Sequence, residues 1–118
     1  MTTPVTPNDV AAQLARLSRD LDDAVRVIEM ADKDATEKRA AADLAYSRAF
    51  MAAGGAEYAR KHTATIETHQ QRLEADAAEV VLRHLRRRID ALKTRIEVGR
   101  SMGAAIRAEL NLTQAGVD

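Results

Sequence analysis

The 118-residue chain balances 18 basic residues against 18 acidic ones and has no cysteine; its hydrophobic content is 46%, in which alanine predominates, and only 3% is aromatic. Disulfides and thiolate metal sites are therefore excluded, and bulky side chains are too few to fill a thick globular core. Zero net charge argues neither for nor against a polyanionic partner, so the distribution of charge has to decide.

Met1 to Asp9 has neither a basic leader nor an apolar one, and no apolar run approaches 18 residues. The expectation is a soluble, cytoplasmic protein. The first helix is predicted to begin at Thr6-Pro7-Asn8-Asp9. Thr6 can cap it, Pro7 suits the first helical position, and Asp9 sits near the positive end of the helix dipole. Val10, Leu14, Leu17, Leu21, Ala24, Ile28, Ala31, Ala35, Lys38, Ala42, Ala45, Ala49 and Ala52 then recur at steps of four and three. This is a heptad seam, aliphatic in its first half and alanine-rich in its second, where a partner helix can approach more closely.

Gly54-Gly55 is the strongest interior break. Two adjacent glycines cost roughly 2 kcal/mol in a helix relative to alanine and allow positive φ, which predicts a tight hairpin. The second helix is predicted over about 56–112, with an apolar series at Leu82, Leu85, Ile89, Leu92, Ile96, Gly99, Gly103, Ile106 and Leu110. Upstream, Ala59, His62, Ile66, His69 and Leu73 keep the same spacing, but joining the two series through Ala77 and Val81 requires a stutter. Residues 113–118 read as a frayed tail.

The predicted architecture is thus one all-α domain spanning the chain: a long antiparallel, coiled-coil-like hairpin with helices over about 7–53 and 56–112 and its turn at 54–55. An alanine-rich seam stabilises so long a hairpin poorly. It also leaves Val25, Val27, Met30, Leu44, Phe50, Val80 and Val98 uncovered. Self-association is expected, with Leu82, Leu85, Ile89, Leu92, Ile96 and Ile106 as oligomer-interface candidates.

Catalysis is not expected. His62 and His69 lie on the apolar series without a completing carboxylate, Gly54-Gly55 lacks the sequel of a phosphate loop, and no triad context is visible. No catalytic residue, metal or cofactor is predicted. The charge distribution says more. Residues 83–107 carry Arg83, Arg86, Arg87, Arg88, Lys93, Arg95, Arg100 and Arg107 against Asp90 and Glu97, eight minus two, or +6. With Leu82 as heptad position a, Arg86, Lys93, Arg100 and Arg107 fall on e, and Arg88 and Arg95 on g. Members of the e rail repeat about every 10.5 Å, a spacing on which a nucleic-acid backbone can be tracked.

The competing use of such rails is coiled-coil pairing. Residues 20–43 are acidic, with eight acids against four bases, or −4. A hairpin closing at Gly54-Gly55 sets residue i opposite about 109 − i, which leaves part of the basic rail unmatched. Tyr46, Phe50 and Tyr58 gather at the tip beside Lys38, Arg39, Arg48, Arg60 and Lys61, where they can stack bases or pack the tip. The GxxxG spacing at Gly99 and Gly103 permits either a close helix approach or a kink.

Three features together carry a family likeness. The first helix ends in Glu37-Lys38-Arg39 through Tyr46-Ser47-Arg48 to Gly54; the second carries Ala91-Leu92-Lys93 and then Gly99-Arg100-Ser101-Met102-Gly103; the chain closes on Ala105-Ile106-Arg107-Ala108-Glu109. In these the chain resembles the UvsY-type recombination mediators of tailed bacteriophages. The resemblance implies a ring-like oligomer of helical hairpins that binds single-stranded DNA. It also implies work beside a recombinase, displacing single-strand-binding protein, in the bacterial host cytoplasm. By this match Lys38, Arg39 and Arg48 become DNA-contact candidates beside Arg86, Arg87, Lys93, Arg100 and Arg107, and the last helical segment serves assembly. The alternative is a phage virion, scaffolding or assembly component whose rails are subunit contacts.

Overall fold

A computed structural model describes residues 4–117. It is all-α: α1 (Pro7–Ala52), α2 (Glu57–Glu67) and α3 (His69–Val117), with α2 and α3 returning antiparallel to α1. No helix among the described residues is long and apolar enough to cross a membrane. The expected start is present as a reciprocal cap. The Thr6 amide donates to Asp9 Oδ2 at 3.0 Å, and the Asp9 amide donates to Thr6 Oγ1 at 3.2 Å. This bonding to the charged form holds the Asp9 carboxyl below its ordinary value. The turn falls as predicted. α1 stops at Ala52, Gly55 adopts φ +96°, and its carbonyl accepts from Arg60 Nε at 3.0 Å.

The returning limb of the hairpin differs from the expected single helix over about 56–112. Thr68 interrupts it with φ −107° and ψ 13°. The Thr68 side chain is only 2% exposed, and its hydroxyl donates to the Ala64 carbonyl at 2.7 Å, a back-bond that competes with the ladder and bends helices. The interruption is one residue wide, because the Thr68 amide still reaches the Ala64 carbonyl and the Arg72 amide still reaches that of Thr68, each at 3.1 Å. At the far end α3 runs unbroken through Gly99 and Gly103. It continues past Leu112 to Val117, so residues 113–117 are helical rather than frayed; Asp118 lies outside the described residues.

The chain packs as two units, one of residues up to Val25 with those from Arg87 on, the other Arg26–Arg86. In the first, Val10, Leu17 and Ala24 of α1 are buried with Ile89, Leu92 and Ile96 of α3. Gly99 and Gly103 bring the helices close rather than kinking α3: a Cβ on Gly99 would stand 2.7 Å from Leu14 Cδ2, and one on Gly103 3.4 Å from Val10 Cγ1. The facing residues, Gly99 with Leu14 and Gly103 with Val10, lie four further along than a 109 − i pairing puts them.

In the second unit the buried residues are small: Ala35, Ala42, Ala64, Ala75 and Ala78, with Leu82 the large exception and Ile28 and Ala31 packed beside it. Here the expected register needs correction. Ile66 is 75% and Leu73 48% exposed, and His62, His69 and Val81 are exposed too, whereas Ala64 and Ala75 are fully buried. The seam therefore runs through Ala64, Thr68, Gln71, Ala75, Ala78, Leu82 and Leu85, an unbroken alternation of four and three, and no stutter occurs. Exposed Gln71 is its one weak position, as exposed Lys38 is on α1.

Leu82, Ile89, Leu92 and Ile96 are buried within a single chain, and Leu85 and Ile106 are half-buried. These six oligomer-interface candidates therefore build the hairpin's own seam.

Candidate nucleic-acid interface

Once the seam is placed, every side chain beside it is placed by the heptad. Positions a and d of α3 face α1, so position e lines one flank of the helix pair and position g the other. Arg86, Lys93, Arg100 and Arg107 all fall on e, as the spacing predicted, and all four are exposed.

In the first unit this flank forms two grooves. Lys93, Ile96, Glu97 and Arg100 of α3 line one with Ser18, Leu21 and Asp22 of α1. Arg100, Gly103 and Arg107 line the next with Pro7, Val10, Ala11 and Leu14. Asp22 and Glu97 offset the cations in the first groove, whereas the second has two arginines and no acid. Among the described residues none of Lys93, Arg100 and Arg107 forms a salt bridge. A guanidinium or ammonium held over an apolar floor, with its head in water, is available to a phosphate.

The second unit has a different arrangement on the e positions of its own α3 segment. Arg39 binds across the helices, its Nε donating to Glu79 Oε1 at 2.9 Å and its Nη2 to Asp76 Oδ1. The two carboxylates raise the Arg39 pKa and the Arg39 guanidinium lowers that of Glu79. Arg39, expected to contact DNA, is thus engaged in closing the hairpin. Lys38 is held by Asp34 at 3.1 Å. Arg48, Arg86 and Arg87 are exposed.

The tip residues do not form one stacking platform. Tyr46 is half-buried, with the Arg72 guanidinium 5.9 Å from its ring centroid. Both line an open groove of about 480 Å³ with Asp43, Ser47 and Thr65. Phe50 is half-buried as well, and Tyr58 stands edge-on to His62 at 4.5 Å between centroids. Arg72 was missed from the sequence. It shares the e column with Arg86 two heptads on, a relation hidden by the misplaced register upstream of Ala78.

No group of three or more His, Asp or Glu side chains converges to hold a metal among the described residues. Comparison with protein-family models, with curated proteins and with solved structures gives no match to this chain.

Proposed function

We propose that the protein is a self-associating helical hairpin that binds single-stranded DNA along the e flank of α3, as an accessory protein of the recombination-mediator type. One observation carries this reading. Lys93, Arg100 and Arg107 repeat at heptad spacing on an exposed flank and form no salt bridge among the described residues. Phosphate neutralisation by such a column is independent of base sequence and weakens with salt, by roughly 0.7 log units per phosphate contact for each tenfold rise in salt. Within the second unit Tyr46 with Arg72 supplies an aromatic ring and a cation. The mediator role rests on the resemblance of the Glu37–Gly54 and Ala91–Glu109 segments to UvsY-type proteins.

Fluorescence anisotropy with a labelled oligonucleotide is the direct test. Binding at low ionic strength is expected, and the triple change Arg86→Glu, Lys93→Glu, Arg100→Glu should weaken it at least about tenfold while leaving helical circular dichroism intact. No binding at low salt overturns the proposal; unaltered affinity in the triple variant removes this flank as the site. Faster loading of a recombinase onto oligonucleotide coated with single-strand-binding protein tests the mediator role.

A second reading, a phage virion, scaffolding or assembly component, is favoured by the exposed Val27, Met30, Leu44, Met51, Ile66 and Leu73 of the second unit. It predicts high-order assembly without nucleic acid and co-purification with particles.

A further inference from the structure

The second unit carries most of its large aliphatic side chains outside its seam. Within it Leu82 alone is both large and buried, while Val27 and Met30 on α1 and Val80 and Val81 on α3 are exposed. On the g flank of this unit Ala31, Ala77, Ala78 and Val81 line a groove between α1 and α3. Asp34 and Glu74 stand at its two walls, and its one cation, Lys38, is already bound to Asp34. Such a groove accepts the apolar stripe of a helix bordered by cations.

In the first unit α3 presents that stripe. Ala91, Val98, Met102 and Ala105 recur on the c and g columns, all exposed, with Arg88 and Arg95 on the g column beside them. Among the described residues neither arginine forms a salt bridge, although Asp20 shares this flank on α1. A twofold contact of the groove with itself would bring Asp34 and Glu74 of both copies together, which like-charge repulsion opposes.

We propose that the g-flank groove of the second unit receives the Ala91–Val98–Met102 stripe of α3 from a second copy of this chain, with Arg88 and Arg95 of one copy meeting Asp34 and Glu74 of the other. The inference rests on the self-association in the proposed function and supplies its surface. The contact is heterologous, joining different patches of the two copies, so it repeats from chain to chain into a ring or a filament. It leaves the e flank with Lys93, Arg100 and Arg107 open to DNA, and the two arginine rails of α3 have separate tasks.

The test uses the full chain without DNA, near physiological salt, by sedimentation velocity and native mass spectrometry. The wild type is expected to be multimeric. The double variant Arg88→Glu, Arg95→Glu and the double variant Asp34→Lys, Glu74→Lys should each fall to the mass of one chain. An equimolar mixture of the two should regain the assembly, since each reversed stripe then finds a reversed groove; this rescue separates a broken contact from a misfolded chain. A wild type that stays monomeric at tens of micromolar overturns the inference and gives the groove to a different protein. So does wild-type assembly by either variant, or failure of the mixture to reassemble. Oligonucleotide binding is read separately: a chain that assembles and is rescued in this way but binds no DNA upholds the contact and sinks the DNA reading.

Discussion

Arg39 is the residue on which the second unit's polar closure turns, because one planar guanidinium meets two carboxylates, Asp76 and Glu79, on the opposite helix. Arg39→Lys keeps the charge but loses the fork, so it should recover only part of the melting temperature lost in Arg39→Ala; full recovery by lysine would show that charge alone matters there. Glu79 and Asp9 both titrate below their ordinary values of 4.5 and 3.8 in the folded chain. Groups shifted this way contribute stability that is fully present above those values and is lost as the pH falls through the lower, folded ones. Thermal melts should therefore show falling stability below about pH 4.5, with the Glu79 share missing in Arg39→Ala. At the turn, Gly55 at φ +96° should cost about 1–2 kcal/mol when changed to alanine. Gly54, with open space around its Cβ position, should tolerate the same change in a denaturant titration.

Along the elements, register separates residues that composition makes look alike. Leu92 is buried in the seam of α3, and its change to alanine should cost about 2–5 kcal/mol. Leu73→Ala, on the exposed face, should cost a small fraction of that in a monomeric background. Ala75, fully buried, is the reverse case: leucine there overpacks the seam and should destabilise by about 1–3 kcal/mol. Comparable losses at Leu73 and Leu92 would restore the stuttered register. The glycines of α3 make a graded pair. Gly103→Ala gains up to about 1 kcal/mol of helix propensity against a Val10 methyl that yields slightly. Gly99→Ala has to displace Leu14 and should gain less.

At the scale of the whole molecule, the two units differ in what holds them. The first buries leucine, isoleucine and valine between its helices; the second buries alanine, a buried threonine and one leucine, and adds the Arg39 cluster. An alanine seam buries less apolar area, so hydrogen exchange in the monomeric chain should be faster at amides near Ala35, Ala42 and Ala78 than near Leu17 and Leu92. The proposed assembly through the g-flank groove should slow the former set more.

The helix start at Thr6, the turn at Gly54-Gly55, the α1 seam from Val10 to Ala49 and the α3 seam from Leu82 to Ile106 were legible in the sequence, and so was the shared column of Arg86, Lys93, Arg100 and Arg107. Each is set by local chemistry: capping, positive φ, or a repeat marked by bulky aliphatics. The seam upstream of Leu82 was not legible, because there the buried positions are Ala64, Thr68, Ala75 and Ala78, while Ile66 and Leu73 mark an exposed face. Periodicity read from hydrophobicity follows the larger side chains, and only the packing of two backbones decides that the small ones are inside. The same packing took Arg39 out of the free cations, put Leu82 to Ile106 inside the hairpin, and set the basic columns of α3 on opposite flanks, none of which a one-dimensional charge count contains.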